Sequence, residues 1–352
     1  MSNREIPLPD ADFADERVPS WTMPEYAKIA QWVEGAQMVW LPLHVSPDGD
    51  CIGSTLAFAR ALRSHGYSCA VVSSDPIPAV YASLFDPADI YIGDKPPGPA
   101  ATHIACLDIS DPMRTGRFYD ANKEAFMGQA DVKVLNMDHH TTNLRFGDLQ
   151  LLDTAAPACA EQVAVALNEL GWAVDPDIAA HILLGVVTDT LGFRTASTTA
   201  RTLRVAAHMM DRGASLAKII DAVFNTHPLS TIFLWAKVLA SVAVGAQGRV
   251  LYVNVTPQML KEAGAKEEEL EGIASYLSTV RGKVRVAAVL KERFDGTTRA
   301  SFRSQPGTDV ASIARRFGGG GHAQAAGATI PSVGPQAVKQ FLDACEDVLN
   351  QA

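Results

Sequence analysis

The sequence predicts an α/β protein of two domains: an N-terminal, largely parallel sheet flanked by helices, and a smaller C-terminal α/β domain. Three observations support this. Short, almost wholly apolar runs alternate with stretches of helical apolar spacing through the first part of the chain, the pattern of strands buried on both faces. The pattern changes character after about residue 245. At 352 residues the chain also exceeds what one ordinary core holds.

Residues 1–24 carry Pro7, Pro9, Pro19 and Pro24 among acidic side chains and read as an extended or loosely docked arm with no assigned chemistry. A buried strand is expected over residues 38–45, ending in His44-Val45-Ser46-Pro47-Asp48-Gly49-Asp50. Helical spacing of Ile52, Leu56, Ala59 and Leu62 follows, with Gly66 as the stop. Further strands are expected over 68–74, 103–108 and 132–138, the last two finishing in Asp108 and Asp138. Helices are expected over 160–170, 177–187 and 197–212. The catalytic domain is placed at 25–230, a connector at 231–245 and the second domain at 246–352, with strands over 250–255, 283–290 and 298–303. Glu267, Glu268, Glu269 and Glu271 read as a solvated helix start.

Composition narrows the function classes. The chain is 47% apolar and 20% charged, no apolar run reaches the roughly 18 residues of a membrane helix, and the polar, acidic start is unlike a secretion signal. Five scattered cysteines, with no CxxC pair, indicate neither a disulfide framework nor a zinc knuckle, so a cytoplasmic location and no membrane partner are expected. A net charge of -9 argues against wrapping long duplex nucleic acid. The charge is uneven: residues 245–352 hold 13 Lys plus Arg against 11 Asp plus Glu, and residues 1–244 hold 17 against 28. Nets of +2 and -11 suit clustered carboxylates in one part and an anion met by the other, although ordinary surface variation gives the same numbers.

In a parallel sheet, ligands bind beyond the carboxyl ends of the strands. His44, Asp108 and Asp138 would all fall at that edge, and the strand ends with their following turns supply His44, Asp48, Asp50, Asp108, His139 and Asp189. Six carboxylate and imidazole donors suffice for two divalent ions clamping an attack on phosphorus. The bland alternatives are that Asp48 and Asp50 only cap the next helix and that Asp189 is a turn residue. His65, His103, His181, His208 and His227 lack such company and read as core or surface histidines.

At this point the chain resembles the DHH phosphoesterase superfamily. The resemblance rests on the His44–Ser54 segment, Leu107-Asp108, Asp138-His139-His140, and Thr188-Asp189-Thr190 with Phe193-Arg194. Phe317-Gly318-Gly319-Gly320-Gly321-His322-Ala323-Gln324-Ala325-Ala326-Gly327 is similar to the signature of the DHH-associated C-terminal domain. The plain two-domain plan most resembles the NrnA group, oligoribonucleases that also remove the 3′-phosphate of adenosine 3′,5′-bisphosphate. Ser46 and Cys51 stand where the group often has Asn and Ala, and the acidic arm departs from its plan.

The resemblance implies an active site in a cleft between the domains and two divalent ions, Mn²⁺ first, with Mg²⁺ or Co²⁺ as alternatives. It implies His44, Asp48 and Asp108 on one ion, and Asp50, Asp108, His139 and Asp189 on the other. Asp138 would orient a ligand from behind, and His140 and Asp108 would be catalytic, with His140 facing the scissile phosphate. Arg303, Ser304, Gly319, Gly320, Gly321 and His322 would bind substrate. The implied activity is hydrolysis of short oligoribonucleotides to nucleoside 5′-monophosphates by a metal-activated hydroxide, with 3′-phosphate removal as a second activity. Short single-stranded RNA or small nucleotides are the expected partners, and a homodimer is compatible with the reading. Two alternatives stay open: a cyclic or linear dinucleotide phosphodiesterase, and a nucleotide-binding protein without turnover, which an intact ligand set disfavours.

Overall fold

The computed structural model describes residues 24–350, in two compact units meeting between Thr226 and His227. The arm expected over residues 1–24 lies, apart from Pro24, outside the described residues.

The first unit is built on six strands: β1 Val39–Pro42, β2 Cys69–Ser73, β3 Ile90–Ile92, β4 His103–Leu107, β5 Lys133–Asp138 and β6 Leu149–Leu152. Every pairing is parallel, in the order β3-β2-β1-β4-β5-β6. This is the doubly wound order, whose direction of winding reverses between β1 and β4. Both central strands are buried throughout. One face carries Leu41, Ala105, Leu107, Leu135 and Met137 into the main core, and the other carries Trp40, Val72, Ile104, Cys106 and Val134 against Phe118. Burial on both faces explains why these strands read as continuous apolar runs. The edge strands β3 and β6 have no such signature: Tyr91 and Ile92 are exposed, and β6 is only partly covered.

Local chemistry sets the helix ends. Asp48 accepts hydrogen bonds from the Asp50 and Cys51 amides and starts the helix Gly49–Ser64. Asp175 caps Pro176–Asp189 through the Ile178 amide, with Pro176 in the first turn where its missing N–H costs nothing. The helices Cys159–Leu170 and Ala200–Asp211 complete the set expected from periodicity.

The helices Gly49–Ser64 and Pro176–Asp189 pack closely because glycines face each other. A Cβ on Gly53 would lie 2.4 Å from the His181 carbonyl oxygen, and one on Gly185 would lie 2.5 Å from both the Ala160 Cβ and an Asp50 carboxylate oxygen. Small residues therefore let two helices converge on the buried Asp50.

The second unit holds β7 Ala243–Gly245, β8 Val250–Val255, β9 Val286–Glu292, β10 Thr298–Ser304, β11 Gly320–His322 and β12 Ala325–Ile330, in the order β11-β12-β10-β9-β8-β7. Only β8 and β9 pair in parallel. Alternation along β9 explains its two covered faces: Val286, Ala288 and Leu290 join Phe341 of the helix Gly334–Leu349, while Ala287 and Val289 join Leu234 of the helix Leu229–Ala240. Within residues 231–245, expected as a connector, the chain forms most of that last helix and then β7. Residues 267–270 form a short 3-10 turn. Among the described residues, no helix is long and apolar enough to cross a membrane.

Gly53→Ala tests the helix contact. The added methyl meets backbone rather than a movable side-chain tip, so the urea midpoint should fall by the equivalent of about 1–3 kcal/mol. An unchanged midpoint would mean that the helices are not in this close contact.

Candidate metal centre

Three strand ends at the reversal point bring the donors together. His44 follows β1, Asp108 follows β4, and Asp138-His139-His140 closes β5, while Asp48 and Asp50 come from the start of one helix and Asp189 from the end of another. His44, Asp50, Asp108 and Asp138 are buried. Asp108 adopts a φ of 60°, a left-handed conformation rare for a residue with a side chain. Its amide still donates to the Met137 carbonyl, so the strand neighbour holds the turn in place.

Asp108 faces two groups of donors. Its Oδ2 lies 3.7 Å from His44 Nε2, which is itself 3.6 Å from Asp48 Oδ2. Its Oδ1 lies 3.3 Å from His139 Nε2, which is 3.4 Å from Asp189 Oδ2 and 3.9 Å from Asp50 Oδ2. The other five sequence-expected donors thus gather around the Asp108 carboxylate. The bland readings of Asp48 and Asp50 also hold, in part. One oxygen of Asp48 caps its helix and the other faces His44. Asp50 accepts from the Cys159 and Ala160 amides, capping the helix Cys159–Leu170 rather than its own, while turning towards His139. The turn therefore sends His44 and Asp48 to one side of Asp108 and Asp50 to the other.

The imidazoles are held in orientation. His44 Nδ1 is 2.9 Å from the Val45 carbonyl oxygen and His139 Nδ1 is 3.2 Å from that of Ala156, so each Nδ1–H is fixed on a carbonyl and each Nε2, once it gives up its proton, turns a lone pair to the carboxylates. Asp108 Oδ1 and His139 Nε2 are both buried without a hydrogen-bond partner. Buried orphans of this kind, two atoms that can each ligate a cation, fit divalent cations. His140 differs, because its Nδ1 is committed to Asp138 Oδ1 at 2.7 Å. Asp138 thus orients a neighbour, its Oδ1 committed to His140, while its carboxylate lies within 4.8 Å of donor atoms of Asp108 and His139.

Without cations the cluster holds protons. Burial opposes the charge of His139, but the Asp108 carboxylate 3.3 Å away and the charges of Asp50 and Asp189 outweigh that and raise it to about 10. The same contest raises His44 above its ordinary value, through Cys51, Asp108 and Asp48. Burial with Asp108 and Asp48 nearby pushes Asp189 up to about 7, and burial with Asp108 and Asp189 likewise holds Asp50 well above the usual carboxylate range. Asp48 and Asp138 move the other way: His44 and the Cys51 amide, and His140 and Asn143, overcome the burial penalty.

Of the five histidines read as core or surface residues, His65 stacks on Trp172, His103 meets Trp32 edge-on, Arg212 donates to His208, His181 is buried with its pKa lowered to about 4 by desolvation, and His227 is exposed.

The expected substrate-binding residues lie in the second unit. Arg303 on β10 is half-buried, and its guanidinium donates to the neighbouring Phe302 carbonyl. Ser304 donates to the Thr308 and Ala323 carbonyls, so its hydroxyl braces a loop. A Cβ on Gly319 would lie 2.2 Å from the Gly327 oxygen, and one on Gly321 2.5 Å from the Ala325 oxygen, whereas Gly320 has open space around it. Two of the three glycines are therefore required by strand contact alone. His322 is exposed and lines a hollow of about 460 Å³ with Thr308, Asp309 and Gln324.

Several contributors were missed from sequence. Asn143 donates to Asp138 and to Asn136, and Asn136 donates to the Ile109 carbonyl. Gln162 donates to the Asp138 carbonyl, and Arg201 joins Asp153 to the buried Glu161. Asn136 did leave a signal, a polar residue inside an apolar strand on the same face as Asp138. Arg201, Asp153 and Glu161 left none, because their partners are distant in sequence.

Raised histidine and aspartate pKa values make cation uptake a competition with protons. Mn²⁺ binding near pH 7 should release protons, and its affinity should rise towards pH 10 as His139 gives up its proton unaided. Calorimetry in buffers of different ionisation enthalpy checks this; uptake with no proton release would refute it.

Comparison with known proteins agrees with the geometry. The DHH family, N-terminal domain matches residues 39–186 and the DHHA1 domain matches residues 247–351. The chain is 35% identical over 327 residues to the bifunctional oligoribonuclease and PAP phosphatase NrnA of Thermus thermophilus, covering 93% of this chain and 94% of that protein. A protein of the same description from Bacillus subtilis is 26% identical over 300 residues, covering 82% and 88%. An exopolyphosphatase-related protein from Bacteroides fragilis shares the fold, with a TM-score of 0.84 at 23% identity over 93% of this chain and 96% of that one. With its donors gathered around Asp108 and both domains matched, the chain belongs to the DHH family of phosphoesterases, in the NrnA group.

Proposed function

We propose that the chain hydrolyses short oligoribonucleotides to nucleoside 5′-monophosphates and removes the 3′-phosphate of adenosine 3′,5′-bisphosphate. The observation that carries the proposal is the two-sided environment of Asp108, supported by the names of the two NrnA relatives. His44, Asp48 and Asp108 would hold one divalent ion, and Asp50, Asp108, His139 and Asp189 a second, with Mn²⁺ the first expectation. Such ions supply charge that offsets the phosphoryl oxygens and lowers the pKa of an attacking water.

The protein's own groups do the rest. His140 keeps its Nδ1–H on Asp138, which raises its pKa and leaves Nε2–H to donate to a phosphoryl oxygen. Asp50, anchored on two amides at a helix N-terminus, enters the site at a fixed angle. In the second unit, the Arg303 guanidinium and His322 imidazole would grip a terminal phosphate or base, and the open Gly320 lets a ligand approach the backbone. Gly319 and Gly321 would serve by shaping that strand, and Ser304 by bracing its loop.

A panel of two- to five-nucleotide RNA, adenosine 3′,5′-bisphosphate and linear dinucleotides, each with Mn²⁺ and Mg²⁺, tests the reading. Mononucleotide release from RNA with Mn²⁺ is expected, with loss of more than about 100-fold in Asp108→Ala and on chelation. Turnover of none of these substrates would sink the proposal, and turnover of dinucleotides alone would replace it. Arg303→Ala should raise KM by about 10-fold or more, the worth of a hydrogen bond to a charged group, while kcat changes little. An unchanged KM would remove Arg303 from substrate binding.

A further inference from the structure

Behind the Asp138–His140 pair lies a chain of hydrogen bonds that runs through Asn143 to Asn136. We propose that Asn143 is a positioning residue: it locks the Asp138 carboxylate so that Asp138 in turn holds the ring of His140 at one orientation, with Nδ1 on Asp138.

The bonding leaves little freedom. Asn143 Nδ2 donates to Asp138 Oδ2 at 2.6 Å and to Asn136 Oδ1 at 2.9 Å, while its Oδ1 accepts from the Arg145 amide at 2.6 Å. A carboxylate only accepts and an amide N–H only donates, so the two ends of the Asn143 amide cannot be exchanged. Asn136, wholly buried, is fixed by donating to the Ile109 carbonyl at 2.9 Å. With Oδ2 held by Asn143, the other Asp138 oxygen faces His140 Nδ1 at 2.7 Å. A carboxylate that could rotate about its Cβ–Cγ bond would present either oxygen to the ring, or neither. Asn143 also ties this chain to the turn that follows, because the amide it accepts belongs to Arg145, whose φ is 55°. An imidazole that must act from one position is commonly oriented by a buried carboxylate on its Nδ1–H.

The two donor groups around Asp108 do not include Asn143, so its removal should separate ring orientation from cation binding. The inference rests on the proposed role of His140 for its kinetic consequence only; the state of the His140 ring can be read without turnover.

Three proteins are compared: wild type, Asn143→Ala and Asp138→Asn. By NMR of the metal-free protein, wild type should show a downfield His140 Nδ1–H resonance protected from solvent exchange. Asp138→Asn should lose it, which identifies the signal. Asn143→Ala should lose it or exchange at least about 10-fold faster. With Mn²⁺ and short RNA, Asn143→Ala should lower kcat by about 10- to 100-fold, the usual cost of removing a group that orients an active residue, with KM and the Mn²⁺ dissociation constant within about 2-fold of wild type. A resonance that stays protected in Asn143→Ala overturns the proposal whether or not the enzyme turns over. So does a kcat within 2-fold of wild type despite loss of the resonance, or a loss of activity that follows weakened Mn²⁺ binding. If Asn143→Ala does not fold, Asn143→Ser is measured in its place, expecting the same loss of protection. Absence of turnover in wild type, with the resonance pattern as expected, would count against the proposed activity alone.

Discussion

The structure depends on one electrostatic constraint: carboxylates that repel one another must be held around Asp108 at the end of a buried sheet. Asp50 and Asp108 are almost fully buried, and Asp48 and Asp189 approach the same two imidazoles. Burying such charges is costly unless each has a partner of opposite sign or a donor. The chain provides fixed donors for some of them, protons on His44 and His139, and a geometry that divalent cations can complete.

The fold meets that constraint with backbone rather than with basic side chains. The winding of the first sheet reverses between β1 and β4, which opens a space at their carboxyl ends without breaking any strand pairing. Two amides at the start of the helix Cys159–Leu170 bind Asp50, and glycines on the two helices beside it let that carboxylate fit. The positive φ of Asp108 turns its side chain from the strand direction into the same space. Behind the site, polar groups are tied together: Asn143 donates to Asp138 and to Asn136, Gln162 donates to the Asp138 carbonyl, and Arg201 lies between Asp153 and Glu161. A buried network of this kind resists movement, because a shift in one member leaves another buried group unpaired.

The second unit uses its sequence differently. Successive residues of β9 are buried in two separate cores, and the glycine cluster of this unit is mainly a solution to strand contact. Of Gly319, Gly320 and Gly321, only Gly320 is unconstrained by neighbouring atoms, so the composition of that segment overstates how much of it is free to meet a ligand.

Sequence by itself determined the class of fold, the central strands and most of the long helices, and it singled out six side chains that the fold gathers at one place, because buried parallel strands and helical spacing are local patterns and these side chains sit at their ends. It did not show the edge strands β3 and β6, which bury too little to leave a pattern. Tertiary structure alone decided how the donors are shared. That Asp50 caps a helix starting at Cys159 and turns towards His139, while Asp48 turns towards His44, depends on side chains brought together from distant parts of the chain. The roles of Asn143 and Arg201 were hidden for the same reason: a hydrogen bond has direction and partners only once the backbone has placed both ends.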